Sequence, residues 1–289
     1  MSIALACGNL TKKYGRTYAL RNIDLQLEEN VIYGLLGRNG AGKTTLLNTI
    51  AGSILPSSGT IEAHGKPLGR GELPKDFCYI RDQYKHFRGA KIIEILQFAA
   101  NFHSHWDWTY AQELLKLFRI DSQKKIRQLS RGTESLVGNI IGLASRAPLT
   151  LYDEPVLGLD VLMRERFYKT LLEDYANYPR TILLSTHLID EISPVVERVY
   201  VIEAGSLLLH DEMEQIRTAA YLIRGNSEAV ASFTAAKRVL YREAYGRGTL
   251  AAIFEKLDEG DMQQARQLGI SIENLTLQKF FSYLIEGGS

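Results

Sequence analysis

Gly37-Arg38-Asn39-Gly40-Ala41-Gly42-Lys43-Thr44 has the spacing G-x-x-x-x-G-K-[ST]. Glycines at these positions let a backbone wrap a phosphate chain with its N–H groups turned inward. A helix that follows presents its positive end to the same anion. Lys43 has the length and charge to reach β- and γ-phosphates, and the Thr44 hydroxyl suits Mg²⁺. Such a loop fits kinases, GTPases and ATPases alike, so a second group of residues must decide between them.

Residues 149–152 are an apolar run that ends in Asp153 and Glu154. Asp153 at a strand end suits Mg²⁺, directly or through water. Glu154 beside it suits polarisation of an attacking water. A second apolar run, 181–185, leads into Thr186 and His187.

Taken with further motifs in the same order along the chain, these residues resemble ABC-type ATPases over about residues 1–214. Tyr14 looks like the aromatic residue that stacks on adenine. Leu129-Ser130-Arg131-Gly132-Thr133 resembles the signature Leu-Ser-Gly-Gly-Gln. Leu157-Gly158-Leu159-Asp160 resembles the loop that follows the catalytic glutamate, and Ser185-Thr186-His187 the switch histidine. The resemblance implies ATP and Mg²⁺ as cofactors. It implies Glu154, His187 and Lys43 as catalytic residues, and Thr44, Asp153 and a glutamine-loop residue at the metal. It implies nucleotide contacts from Tyr14, Gly37, Asn39, Gly40, Ala41, Gly42, Lys43, Thr44, Thr45, Gln83, Ser130, Gly132 and Asp160.

It also implies a mechanism in which two cassettes meet head to tail. Each ATP lies between the phosphate loop of one and the signature of the other, as a homodimer or with a paralogue. A separate transmembrane permease would then hold the pair at the inner face of the cell membrane. The spelling Leu-Ser-Arg-Gly, with the run 142–148, most resembles exporter ATPases of Gram-positive bacteria that are controlled by GntR-type repressors and linked to cell-wall antibiotics.

The chain departs from the family pattern at Arg131, where glycine is usual, and at Thr133, where glutamine is usual. Either Gln83 or Asp82 stands at the glutamine-loop position, with Gln83 favoured.

The motifs need strands whose ends converge. Residues 31–36 form a short apolar run, as for a strand buried on both faces, and 43–51 read as a helix. Ile23, Leu25 and Leu27 alternate with Asp24, Gln26 and Glu28, which predicts a half-buried antiparallel strand. About 88–147 reads as a helical subdomain. Helices at about 161–175 and around 189–192 alternate with strands at 149–152 and 181–185. Strands at 199–202 and 207–209 meet at Ala204-Gly205. The fold class is therefore α/β: a phosphate-loop cassette with a mixed sheet, an antiparallel β subdomain and a helical signature subdomain.

Residues 215–289 form a small α+β accessory domain. Strands are expected at 221–224, 237–242 and 250–254, and helices at about 261–268 and 277–285. This segment carries no phosphate loop, metal cluster or acid–base pair, so a regulatory or dimer-supporting role is expected.

Composition bounds the partners. The formal charge is +1, from 34 Lys and Arg against 33 Asp and Glu, which gives no reason to expect nucleic acid. No apolar stretch approaches the roughly 18 residues of a membrane span. The first residues lack a basic signal region, so the chain reads as cytoplasmic. Cys7 and Cys78 sit in apolar runs and read as buried, reduced thiols. His103, His105 and Asp107 have metal-ligand types, but aromatic neighbours make a helix end the plainer reading. Tyr84 to Arg88 is basic and aromatic and reads as a partner-docking loop. A soluble ABC ATPase acting on ribosomes or DNA is the rival function. It usually brings two cassettes or a long coiled-coil insertion, and neither is present. A third reading, a degenerate cassette that binds ATP without turnover, is opposed by Glu154 and His187 and weakly favoured by Arg131 and Thr133.

Overall fold

The computed structural model describes residues 2–81 and 87–287. By contacts the chain divides into two units, Met1–Leu207 and Leu208–Ser289.

The first unit runs β1 (Ile3–Tyr14), β2 (Thr17–Glu28), β3 (Ile32–Leu36), α1 (Lys43–Ile50), β4 (Ser58–Ala63), β5 (Lys66–Pro67) and β6 (Phe77–Ile80). It continues through α2 (Ile92–Ala100), α3 (Trp108–Leu117), α4 (Arg131–Ala144), β7 (Leu149–Asp153), α5 (Val161–Asn177), β8 (Thr181–Thr186), α6 (Ile189–Ile192) and β9 (Arg198–Glu203). The division falls within β10 (Ser206–Glu212). One antiparallel sheet has the order β2-β1-β4-β5. A second has the order β10-β9-β3-β8-β7-β6. In the second sheet β3 runs parallel to both β8 and β9, and β7 runs parallel to β8 and β6.

The alternation in β2 holds. Ile23, Leu25 and Leu27 are buried, while Asp24 and Gln26 face outward. The inward row packs with Tyr33, Leu35, Leu151, Leu183 and Tyr200 of the second sheet and with Leu46, Leu47 and Ile50 of α1. Two tyrosines tie the sheets with polar bonds as well. The Tyr200 hydroxyl donates to the Gln26 carbonyl at 2.6 Å, and the Glu28 N–H donates to the Tyr33 hydroxyl at 2.9 Å. Strands β3, β7 and β8 are buried along their whole length. With covered faces, their ends are the places where side chains reach open space, so the chemistry gathers there.

The expected helical stretch consists of three helices, α2 to α4, separated by loops. Helix α3 begins at the Asp107 cap, whose side chain accepts the Tyr110 N–H. The helix placed at 161–175 extends to Asn177.

In the second unit, α7 (Met213–Ala219) leads into β11 (Ala220–Gly225), α8 (Ser227–Thr234), β12 (Val239–Tyr245), β13 (Gly248–Phe254), α9 (Glu259–Gln267), β14 (Ser271–Asn274) and α10 (Leu277–Gly287). The sheet order is β12-β13-β11-β14, all pairs antiparallel. This is the β-α-β-β-α-β order of ferredoxin-like units. Ile223, Ala251 and Ile253 face a core with Val230 and Phe233 of α8 and Ala265 of α9. On the other face Phe254 meets Phe280 of α10, and Tyr241 stacks on Tyr283. Helix α8 and strand β14 had no clear sequence signal. Helix α8 carries small side chains under an Asn226 cap, and β14 buries little beyond Ile272.

Among the described residues no helix is long and apolar enough to cross a membrane.

Candidate functional site

The site lies at the C-terminal ends of β3, β7 and β8, which share one direction. The loop after β3 turns tightly, and Gly40 and Gly42 adopt left-handed φ values of 85° and 115°. A side chain at position 37 would put its Cβ 2.3 Å from the Ile202 carbonyl oxygen, so only glycine fits between the loop and β9. The Ala41 carbonyl accepts the Gly205 N–H at 2.9 Å, which fastens the loop to the β9–β10 turn.

Lys43 opens α1 and is nearly buried. Its ammonium donates to the carbonyls of Gly37 at 2.7 Å and Arg38 at 3.2 Å, and stands 3.4 Å from Glu154 Oε1. Glu154 follows β7 in a left-handed conformation, φ 51°. Both of its carboxylate oxygens lie 3.0–3.1 Å from His187 Nδ1. Lys43, Glu154 and His187 thus meet at one point.

A second group adjoins it. Asp153 ends β7 and is 7% exposed. The Ser185 hydroxyl donates to Asp153 Oδ1 at 2.6 Å. Burial pushes the Asp153 carboxyl above its ordinary range, against hydrogen bonds from Ser185 and Thr44 that favour the anion.

Ser130 and Gly132 lie elsewhere. Ser130 caps α4, and its Oγ accepts the Thr133 N–H at 3.2 Å and lies 2.9 Å from the Thr133 hydroxyl. A Cβ on Gly132 would stand 2.5 Å from the Gly158 carbonyl oxygen. Helix α4 thus seats itself on the 155–159 loop. Ser135 and Asn139 reinforce this by donating to the Leu157 and Pro155 carbonyls, each at 2.9 Å. Asp160 caps α5 by accepting the Met163 N–H at 2.9 Å. Tyr14 is half exposed at the end of β1, with the Lys12 ammonium 5.0 Å from its ring centre. Asp82, Gln83 and the expected docking residues Tyr84 to His86 lie outside the described residues.

Two groups were not foreseen. Ser185 reads from the sequence as a strand end that opens the switch-histidine motif, with no contact of its own, and only the β7–β8 register shows that it faces Asp153. Asn48 of α1 accepts from Arg81 at 3.1 Å and from Tyr79 at 3.4 Å, which ties α1 to the end of β6.

The His103–Trp108 stretch is a stacked aromatic helix start. His103 lies against Trp106, and Trp106 edges onto Trp108. Burial holds His103 below the usual histidine range. Among the described residues no group of three or more His, Cys, Asp or Glu is placed to hold a metal. Residues of this stretch line a cavity of about 800 Å³ with Arg146, Pro148, Tyr178 and Arg180, at the N-terminal ends of β7 and β8.

The chain is similar to known proteins over much of its length. The family model described as ABC transporter matches residues 20–157. An ABC transporter ATP-binding protein of Methanocaldococcus jannaschii is 32% identical over 220 residues, 74% of this chain and 80% of its own. The lantibiotic transport ATP-binding protein SrtF of Streptococcus pyogenes is 27% identical, over 71% of this chain and 90% of its own. A solved structure of an ATP-binding subunit of an ABC transporter superposes with a TM-score of 0.65 at 25% identity, covering 74% of this chain and 92% of that one.

Proposed function

The chain belongs to the ABC transporter ATP-binding proteins, a family of ATPases, and from that premise we propose that it is the Mg²⁺-dependent motor subunit of an exporter with a separate membrane-spanning partner. The observation that carries the reading is the meeting of Lys43, Glu154 and His187 beside the glycine loop.

Each residue has a task that follows from its place. The loop N–H groups and the start of α1 hold the phosphate chain. Lys43 is already aimed at this space and offers its charge to the β- and γ-oxygens. Glu154 accepts a proton from the attacking water. His187 bonds the Glu154 carboxylate, fixes its orientation and offers its ring to the γ-phosphate. Thr44 and Asp153 fit Mg²⁺, because one hydroxyl and one carboxylate leave positions for the phosphate oxygens and waters that this ion retains. When bound, the ion supplies charge neutralisation of the phosphates.

Ser130, Gly132 and Asp160 complete the ATP site of a second cassette, which makes ATP the link between two copies or between this chain and a paralogue. In this chain their contacts run to Thr133, the 155–159 loop and Met163. Residues 1–214 are the cassette. Residues 215–289 are an accessory domain that regulates it or supports its dimer. The chain works at the inner face of the cell membrane, held there by its permease, and nucleic acid is not its partner. The lantibiotic name of one relative and the Leu-Ser-Arg-Gly spelling support a place among exporters linked to cell-wall antibiotics.

The test is purification of the tagged chain from detergent-solubilised membranes, followed by mass spectrometry of bound chains and phosphate release with MgATP. A co-purifying polytopic protein that stimulates turnover is expected. Recovery with ribosomes or DNA and no polytopic chain would overturn the transport reading.

A further inference from the structure

Ser185 touches both acidic residues at the end of β7. It is fully buried in β8, in register with Asp153. Its hydroxyl donates to Asp153 Oδ1 at 2.6 Å and accepts the Glu154 N–H at 3.3 Å. Its carbonyl accepts the same N–H at 3.1 Å. Glu154 needs this support, because φ 51° is a region that residues other than glycine seldom occupy.

The left-handed turn matters for the chemistry. Along an extended strand, consecutive side chains point to opposite faces. At Glu154 the alternation is broken. Asp153 reaches Thr44 while Glu154 reaches Lys43, so two adjacent carboxylates serve two adjacent residues of one helix start. An alanine in place of Ser185 would keep the carbonyl bond and lose both hydroxyl bonds.

We propose that Ser185 is a positioning residue that fixes Asp153 for Mg²⁺ and holds the Glu154 backbone in its turned form. This rests on the reading of Thr44 and Asp153 as the Mg²⁺ ligands. A carboxylate bonded from a rigid strand presents its other oxygen in a fixed direction. Partners of this kind commonly change metal affinity by about 10- to 100-fold when removed. Ser185 touches neither nucleotide nor ion in this arrangement and acts through its two neighbours.

The test uses the full chain and a fluorescent ATP analogue, trinitrophenyl-ATP, titrated with and without MgCl₂. In Ser185→Ala, affinity for the analogue without Mg²⁺ should stay within about twofold of wild type. The Mg²⁺ concentration that gives half of the Mg²⁺-dependent binding should rise about 10-fold or more. In phosphate release, kcat should fall while KM for ATP at saturating Mg²⁺ changes little. Ser185→Thr keeps the hydroxyl and should restore the Mg²⁺ midpoint. If the threonine is too large for the site, Ser185→Cys, of similar shape and a weak donor, should fall between alanine and wild type. Wild-type Mg²⁺ midpoints in folded Ser185→Ala or Ser185→Cys would overturn the proposal. Wild-type protein that binds the analogue without any Mg²⁺ dependence would instead overturn the reading of the metal ligands.

Discussion

Lys43 and Glu154 form an ion pair of 3.4 Å, joining the first residue of α1 to the residue that follows β7. The contact brings the group proposed to bind phosphate charge to the group proposed to accept a proton. Lys43→Ala removes the ammonium from the loop and leaves Glu154 facing His187 alone. ATP turnover should fall by at least ~100-fold, the order seen when one charge-stabilising donor is lost. Nucleotide affinity should fall with it. Phosphate release and equilibrium binding of labelled ATP measure both, and undiminished turnover would contradict the role of the loop.

Glu154→Gln preserves shape but not basicity. Lys43 keeps an oxygen partner while the amide cannot take a proton from water. Hydrolysis should drop by at least ~100-fold with ATP affinity retained. The ATP-bound dimer should then persist and elute early in size-exclusion chromatography run with MgATP. A variant that hydrolyses normally would make another group the base, with His187 the first to examine.

Gly132 has a structural reason to be glycine within its own chain. Alanine is the better helix former by about 1 kcal/mol. Its Cβ would nonetheless meet the Gly158 carbonyl oxygen at 2.5 Å. Gly132→Ala should therefore lower stability by about 1–3 kcal/mol, as overpacking does. It should also weaken ATP-driven dimerisation by shifting the start of α4 away from the 157–160 loop. Urea unfolding reads the first effect and light scattering with ATP the second. A variant more stable than wild type would refute the close seating of α4.

Burial pushes both thiols, Cys7 and Cys78, up to about 12. At pH 8 a thiol of that pKa is ionised to about one part in 10⁴, against roughly a quarter for an ordinary cysteine, and only the thiolate reacts. Alkylation by iodoacetamide at pH 8 should be at least ~1000-fold slower in the folded chain than in urea, and should quicken about tenfold between pH 8 and 9, as the thiolate fraction of such a thiol does. Mass spectrometry after timed quenching gives the rates. Rapid labelling of either cysteine in folded protein would contradict its burial.

A chain ending at Glu212 keeps β10 and every candidate phosphate contact. Monomer binding of ATP should survive within about threefold, since nothing it removes carries phosphate chemistry. ATPase activity, its dependence on protein concentration or its stimulation by the membrane partner should change. If a soluble shortened chain keeps all three unchanged, residues 213–289 only stabilise the protein.

The spacing from Gly37 to Thr44 and the paired acids at 153 and 154 could be read without a structure, because local backbone geometry fixes the residue types they need, whereas His187 was legible only through its resemblance to a family motif. A loop that wraps phosphate needs glycine at set intervals. A strand buried on both faces must be apolar until it ends. The long helices and the alternating strand β2 were legible for the same reason, since their periods match the faces they bury. The convergence of the motifs was not legible. That Lys43 meets Glu154, that Ser185 faces Asp153 and that Gly132 seats on Gly158 depend on parallel strand order and register, which pair residues far apart in sequence. The order of the second unit was hidden too. Helix α8 and strand β14 are short and weakly patterned, and they are held by the sheet they join more than by their own preferences. Local chemistry is written in residue types, whereas the meeting of distant residues is set by packing, which no single stretch of the chain encodes.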